Sequence, residues 1–262
     1  MEELHHELLI VHAVNDIFGP VVATLLSPLG YSFGPEETVI PDYLVMAALI
    51  LVFVTSIGVL LRARLSVENP SKMQLVAEDL VTTLDNMLKE WVGPKGPRYL
   101  AIVGTMGVFI LLGNLMGLVP GLMAPTSNIN VTLGCALTVW VYYHIQGVRE
   151  QGVGPYLKHF AVPPGAPSFI APIMLPIEII SHLSRVLSLS LRLFGNVFGE
   201  ELVIMILASI VPFLVPLPMM FLAIITGSLQ AFIFVVLTMI YLGGAVATEH
   251  EQEQHDVVPV PA

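Results

Sequence analysis

The stretch that decides the fold runs from Phe169 to Ile210, FIAPIMLPIEIISHLSRVLSLSLRLFGNVFGEELVIMILASI, and is apolar yet carries two arginines and three carboxylates. A second run, Val211 to Thr248, has no charged residue. As helices, each would be about 55 to 60 Å long at 1.5 Å rise per residue, nearly twice the thickness of the bilayer's hydrocarbon core. Prolines cluster at their junction, which favours a turn there. We therefore expect a long helical hairpin, 169–210 and 211–248, that lies steeply tilted in a membrane.

The rest of the chain is also built for lipid. Of its 262 residues, 55% are hydrophobic and 11% are charged, whereas a soluble domain has about 25% charged residues. Uncharged runs at 43–61, 99–119 and 131–148 are each long enough for a transmembrane helix. Between the first two, residues 66–98 alternate apolar and charged positions at helical spacing, which is typical of a helix along the membrane interface. The sequence predicts one all-α integral membrane domain, 1–262, with three transmembrane helices, one interfacial amphipathic helix and the tilted hairpin.

Basic residues orient the chain, because basic loops are retained on the cytoplasmic side. Six of the ten basic residues lie between the first two predicted spans: Arg62, Arg64, Lys72, Lys89, Lys95 and Arg98. We therefore expect the interfacial segment inside the cell and the N-terminal segment, 1–42, outside it. The tail, 249–262, is then expected in the cytoplasm.

Several function classes are disfavoured. A formal net charge of −10 offers no basic surface for nucleic acid. No GxxxxGK[ST] phosphate loop is present, so we expect no nucleotide binding and no catalysis by this chain. One cysteine, Cys135, excludes an intramolecular disulfide framework. The tail from Glu249 to His255 is rich in acids and histidines, but we interpret it as a solvated end and expect no metal or cofactor.

Arg192 is the most informative residue. A charge at membrane depth costs about 2.5 to 3.5 kcal/mol on insertion scales, and arginine stays protonated, so it can act as a permanent positive charge. No acid stands three or four residues away to neutralise it. On a helix it falls within about 40° of one line with other polar residues, and this polar stripe comprises Glu178, Ser181, Arg185, Ser188, Arg192 and Asn196.

The carboxylates further along the same run point elsewhere. Glu201 would lie nearly opposite Arg192 and Glu200 about 80° from it, so both would address a different cavity. A purely structural alternative, in which the stripe only joins helix to helix, stays open for the serines and for Glu178. Glu178 has His182 four residues on, and His182 itself is expected to be a satisfied polar contact.

At these residues the chain resembles a known family. The run Ser188-Leu-Ser-Leu-Arg192-Leu-Phe-Gly-Asn196, followed by Glu201-Leu-Val and by Leu229-Gln230-Ala-Phe-Ile-Phe-Val-Val-Leu-Thr238, closely resembles subunit a of F-type ATP synthases. Asn114-Leu-Met-Gly-Leu-Val-Pro120 and Asn130-Val-Thr-Leu133 match it too. The resemblance extends from about residue 40 to the C-terminus, and its motifs are specific.

The resemblance implies roles for individual residues. Arg192 would be the essential arginine facing a rotating ring of proteolipid c subunits. Asn196, Glu201 and Gln230 would line a half-channel open to the outside, while Glu178, Ser181 and Ser188 would line one open to the cytoplasm. The implied setting is a bacterial inner membrane, and the implied partners are the c ring, peripheral-stalk b subunits and the soluble catalytic head.

Three positions depart from the family's pattern. Many bacterial members have a histidine seven residues before the glutamine, where this chain has Ala223. The glycine that usually precedes the glutamate is here Glu200, and we hypothesise that Glu200 supplies across the hairpin the titratable group that Ala223 lacks. Asn128 stands where an aspartate is common, which argues against this loop feeding protons to the inlet.

The expected mechanism follows from charge. A ring carboxylate facing lipid must be protonated, but beside Arg192 it can ionise because an opposite charge favours the anion. If the two half-channels are offset, a proton crosses only by riding the ring almost fully round, so flux is coupled to rotation. Na⁺ in place of H⁺ stays open. A stand-alone secondary transporter is disfavoured by the lack of an internal repeat, and a structural anchor by the unpaired Arg192.

Overall fold

The computed structural model describes residues 9–26, 39–119, 121–156, 171–211 and 214–246. Regular structure in these ranges is helical throughout. In chain order the α-helices are α1 Leu9–Leu26, α2 Asp42–Ala63, α3 Lys72–Val92, α4 Leu100–Met116, α5 Ile129–Gln151, α6 Ala171–Ile210 and α7 Pro216–Val246. Short 3-10 turns at Gly96–Tyr99 and Pro125–Ser127 precede α4 and α5.

Four helical stretches of the described chain are long and apolar enough to cross a membrane: Asp42–Ala63, Gly96–Met116, Pro172–Ile210 and Pro216–Val246. The prediction of an all-α, multi-pass membrane protein is therefore confirmed. The third expected span, 131–148, does form a helix, α5, but polar side chains such as Thr132, His144 and Gln146 dilute its apolar character. Its crossing of the membrane stays a prediction.

The two hairpin helices have nearly the predicted bounds. α6 is continuous over 40 residues although Pro176 lies inside it. α7 begins at Pro216, the first helical position, where a missing N–H costs least. Their tilt stays a prediction, and Pro212 and the tail 249–262 lie outside the described residues.

The predicted interfacial segment contains the amphipathic helix α3. Ser71 caps its start by accepting a hydrogen bond at Oγ from the backbone N–H of Gln74, with an N···O distance of 3.2 Å. Gly93, at φ 97°, ends it in a conformation that favours glycine. Leu88 on its apolar face is fully buried. The helix is shorter than the predicted 66–98, and its place at a membrane surface stays a prediction.

Helix α1 is a finding that the sequence did not predict. His12, Asp16 and Pro20 interrupt its apolar pattern. Two tertiary contacts hold it in place. Val11 packs against buried Val45 and Met46 of α2, and Asn15 exchanges hydrogen bonds of 2.9 and 3.0 Å with the backbone N–H and C=O of Ile40.

The chain forms two compact units whose boundaries fall inside α4, α5, α6 and α7. The first unit comprises 1–65, 109–131 and 193–230, and the second comprises 66–108, 132–192 and 231–262. The candidate residues Asn196, Glu200, Glu201 and Gln230 therefore belong to the first unit. Glu178, Ser181, Ser188 and Arg192 belong to the second.

Candidate ion-translocation site

Arg192 lies on an exposed face of α6 in the second unit. Leu187 and Leu191 beside it are also exposed, at 56% and 55%. No carboxylate of the described residues forms an ion pair with the guanidinium; the ion pairs there involve other cations. A permanent charge on an exposed face of a helix requires a partner when that helix is placed in a membrane. The face is therefore suited to another protein that brings an acid.

The polar stripe predicted along α6 lies on one continuous helix. Glu178, Ser181 and Arg185 are half-buried, whereas Ser188, Arg192 and Asn196 are exposed. Arg185, unlike Arg192, has a neighbour that uses its charge: its guanidinium carbon lies 5.2 Å from the ring centroid of Tyr241, a cation–π distance. The two arginines of α6 therefore differ in their partners: Arg185 contacts an aromatic ring, whereas Arg192 has no ion-pair partner among the described residues.

Asn196 and Gln230 form a side-chain pair in the first unit. Nδ2 of Asn196 donates to Oε1 of Gln230 at 3.0 Å. Gln230 is 2% exposed, and its Nε2 has no hydrogen-bond partner among the described residues. A buried amide donor of this kind costs free energy unless something accepts from it. The pair therefore leaves one buried amide donor without a hydrogen-bond partner among the described residues.

Glu200 faces α7, as the hypothesis about the inlet requires. Its Oε1 accepts a short hydrogen bond from Oγ1 of Thr226. Thr226 also contacts the backbone carbonyl of Ala223, at 3.4 Å. The carboxylate is thus linked through Thr226 to the turn of α7 that contains Ala223. Thr226 is a site residue that the sequence did not single out, since its only signal is its spacing of three from Ala223.

Glu201 has different neighbours from Glu200. Its Oε1 accepts from the backbone N–H of Ala124 at 3.2 Å and lies 2.6 Å from where a Cβ would stand on Gly117. A side chain at 117 would therefore displace this carboxylate from its present position. The two adjacent glutamates therefore present carboxylates to two different surroundings within the first unit.

Asn114 of a matched motif and Asn128, which departs from the family's pattern, have structural roles in the same unit. Nδ2 of Asn114 donates to the carbonyl of Gly227 at 2.9 Å, which joins α4 to α7. A Cβ on Gly227 would stand 3.2 Å from Cβ of Asn114, so the helices approach closely there. Asn128 caps α5, because its Oδ1 accepts from the N–H of Asn130 at 3.0 Å.

In the second unit Glu178 is part of a chain of contacts. Its Oε1 lies 3.1 Å from Nε2 of His182, and Nδ1 of His182 lies 2.7 Å from the hydroxyl of Tyr143 on α5. His182 and Tyr143 are both buried. His182 is thus the satisfied polar contact that was expected, but with a second partner that no sequence spacing indicates.

Comparison with known proteins identifies the family. The sequence model described as "ATP synthase A chain" matches residues 43–243. ATP synthase subunit a of Citrifermentans bemidjiense is 44% identical over 226 residues, which are 86% of this chain and 94% of that protein. The Geobacter sulfurreducens subunit a is 41% identical over 226 residues, with the same coverage. The Sulfurihydrogenibium subunit a is 41% identical over 210 residues, 80% of this chain and 99% of that protein. This chain therefore belongs to the ATP synthase subunit a family, the non-catalytic, ion-translocating membrane subunits of F-type ATP synthases.

Proposed function

We propose that this subunit conducts protons between a ring of c subunits and the two sides of a bacterial inner membrane, through two half-channels separated by Arg192. The observation that carries the proposal is the exposed guanidinium of Arg192 on a membrane-length apolar helix, α6, with no carboxylate partner among the described residues. A moving ring of acids is the partner that such a charge fits.

The positive charge of Arg192 determines where a ring carboxylate can lose its proton. A ring carboxylate in lipid holds its proton, because an ion there is too costly, and gives it up when the guanidinium stabilises the anion. Because arginine does not deprotonate, it cannot itself pass the proton along. Protons are therefore released and taken up on either side of Arg192 and do not leak past it.

The inlet is assigned to the first unit. Asn196, Gln230 and Glu201 supply hydrogen-bonding groups there, and Glu200 supplies a titratable carboxylate beside Thr226 and Ala223. A proton from outside would pass these groups to reach a ring carboxylate. Glu200 takes the part that a histidine at 223 plays elsewhere in the family.

The outlet is assigned to the second unit. Glu178 and Ser181 stand one turn apart on α6 with Ser188 two turns further on, and Glu178 is partly exposed. A proton released beside Arg192 would leave past these side chains to the cytoplasm. A membrane potential of 100 mV supplies about 2.3 kcal/mol for each charge moved, so several protons drive each ATP made elsewhere in the complex.

The orientation follows from the basic residues between α2 and α4, which place the N-terminus outside and the C-terminus in the cytoplasm. Besides the c ring, the partners proposed are peripheral-stalk b subunits and the soluble catalytic head. These partners convert ring rotation into ATP synthesis, and this chain binds no nucleotide.

The proposal is tested by purifying the complex through a tag on this chain and reconstituting it in vesicles. We expect a proteolipid ring and an ATPase head to copurify, and ATP to drive proton uptake in Na⁺-free buffer. A monomeric preparation that transports a solute would contradict the proposal. Pumping that requires Na⁺ would contradict the choice of proton.

A further inference from the structure

A buried cluster of aromatic and titratable side chains lies in the second unit next to Glu178, and its members His182 and Tyr143 are not among the residues to which the family resemblance gives a role. We propose that Glu178, His182 and Tyr143 form a proton relay that extends the outlet from the partly exposed Glu178 into the interior of this unit. The inference rests on the proposed function, since the outlet must carry protons for the relay to matter.

The three side chains of the relay are connected by two hydrogen-bond distances without a gap. Oε1 of Glu178 lies 3.1 Å from Nε2 of His182, and Nδ1 of His182 lies 2.7 Å from the Tyr143 hydroxyl. Each ring nitrogen of the histidine therefore has its own partner. A neutral imidazole carries one donor and one acceptor nitrogen, which is what a group needs to take a proton on one side and give it up on the other.

Exposure gives the relay a direction. The side chain of Glu178 is 36% exposed and that of His182 is 10% exposed, while Tyr143 is 2% exposed. One end of the relay therefore opens to the surroundings and the other ends inside the unit. A contact made only for packing has no need of this gradient.

The inner end meets a small cavity. Its lining includes Tyr143, Trp140, Arg185 and Tyr241, and its volume is about 10 Å³, near the lower limit for one water molecule. Nε1 of Trp140 is buried without a partner among the described residues. A water in this cavity would accept from Trp140 and reach the Tyr143 hydroxyl. It would therefore supply the next member of the relay.

Other charged and titratable groups surround His182. Arg185 stands one turn along α6, with its guanidinium carbon 5.2 Å from the ring centroid of Tyr241 of α7, and its positive charge also acts on His182 and on Tyr143. From α5, His144 lies with its ring centroid 4.8 Å from that of His182. Nδ1 of His144 lies 2.5 Å from the hydroxyl of Tyr156. Glu178 is thus the acid that faces His182, which fixes the outer end of the relay.

In each step of the relay, the group that takes up one proton gives up another. A hydronium in the cavity gives a proton to the Tyr143 oxygen, and the hydroxyl passes its own proton to Nδ1 of His182. His182 releases the proton on Nε2 to the Glu178 carboxylate. The protonated Glu178 then releases it to water on the cytoplasmic side of the protein. One proton has moved, and rotation of the hydroxyl and a return of the imidazole to its first tautomer reset the relay.

The test uses the whole complex in inverted membrane vesicles, whose outer face is the cytoplasmic one. His182→Gln and Tyr143→Phe are each expected to lower proton-driven ATP synthesis about ten-fold or more, as loss of a proton-transfer group does. The double variant should be no worse than the poorer single one, because both changes cut the same path. Tyr142→Phe is the matched control, since Tyr142 packs edge-on against Tyr99 instead.

A pH profile separates a relay from a packing role. The wild-type rate should change with the pH outside the vesicles in a way that the rate of His182→Gln does not, because an imidazole can gain and lose a proton and an amide cannot. His182→Asn, which keeps an amide near the Nδ1 position, serves if the glutamine variant does not assemble. The relay would be overturned if the rate of His182→Gln were lowered by the same factor at every pH, or if it were normal.

The Arg192→Ala variant keeps this test distinct from that of the proposed function. If Arg192→Ala abolishes synthesis while His182→Gln and Tyr143→Phe leave it normal, the relay is wrong and the proposed function stands. If Arg192→Ala leaves synthesis normal, the proposed function fails whatever the histidine variants do.

Discussion

Asn196 donates a hydrogen bond from Nδ2 to Oε1 of Gln230 across 3.0 Å, joining α6 to α7 within the first unit. Because Gln230 is buried and accepts through one end of its amide, its other end is left as an oriented donor. The pair therefore holds one buried amide N–H of Gln230 at a fixed position in the first unit.

The first prediction concerns this pair. Gln230→Leu and Asn196→Ala should each lower proton-driven ATP synthesis, since each removes one member of a single hydrogen-bonded arrangement. The double variant should be close to the worse single variant, because residues that act as a unit are not additive. The measurement is synthesis in inverted vesicles at matched amounts of assembled complex. Fully additive losses would show that the two side chains act separately.

The second prediction concerns Glu200. Glu200→Gln should lower proton-driven synthesis by about ten-fold or more, because an amide cannot exchange a proton at this position. Thr226→Val should weaken synthesis less, since it removes a hydrogen bond to Glu200 but leaves the carboxylate. Thr226→Ser keeps the hydroxyl and is the matched control, expected to be near wild type. Intact synthesis in Glu200→Gln would end the hypothesis that Glu200 replaces the histidine absent at Ala223.

The third prediction concerns helix packing in the second unit. A Cβ at Gly147 would lie 2.5 Å from Cε2 of Tyr156 and 2.9 Å from the carbonyl oxygen of Ala245, which also accepts from Gln151. Gly147→Ala should therefore lower the thermal stability of the purified complex. Gly134→Ala, on the same helix with nothing within 4 Å, should keep or raise it, because alanine favours a helix by about 1 kcal/mol over glycine. Equal melting temperatures for the two variants would contradict this packing.

The fourth prediction concerns pH. Nζ of Lys95 lies 2.6 Å from Oε2 of Glu150, and this hydrogen bond, with the charges of Lys95 and Arg98, holds the pKa of Glu150 below its ordinary value, partly offset by desolvation. A lowered pKa in the folded state means that the pair stabilises at neutral pH. That contribution is lost as the pH falls through the lowered pKa.

Glu150→Gln should accordingly lower thermal stability slightly at pH 7; the difference from wild type should shrink as the pH falls past the ordinary pKa of a glutamate, about 4.3, and vanish only below the lowered pKa of Glu150. Lys95 is half exposed, so the effect should also shrink with added salt. Glu90→Gln is the control, because Glu90 is exposed. A difference that persists in acid would assign the effect to packing, not charge.

The apolar helices could be predicted from the sequence because lipid demands long uncharged runs. Residues 43–61 predicted α2, which spans Asp42–Ala63, and the hairpin runs predicted α6 and α7 nearly to their ends. Helix α1 could not be predicted, because tertiary contacts of Val11 and Asn15 hold it and its own pattern is interrupted.

Single residues of the candidate site could be predicted where the side chain's own charge is unusual for its apolar surroundings. Arg192 stands out because a permanent charge in an apolar helix is rare. Pairings between helices could not be predicted: Asn196 and Gln230 are 34 residues apart and Tyr143 and His182 are 39 apart. The register between helices is fixed by packing, as at Gly227 against Asn114, and no local spacing encodes it.

The fifth prediction addresses the central claim that the Arg192 guanidinium separates two proton paths. Arg192→Ala and Arg192→Lys are compared with Arg185→Lys, since Arg185 is partnered by Tyr241 and lysine can keep a cation–π contact there. The decisive measurement is ATP synthesis driven by an imposed proton gradient in vesicles that contain equal amounts of assembled complex. The account predicts that both Arg192 variants lose synthesis while Arg185→Lys retains most of it. Synthesis at the normal rate in Arg192→Ala would contradict the account.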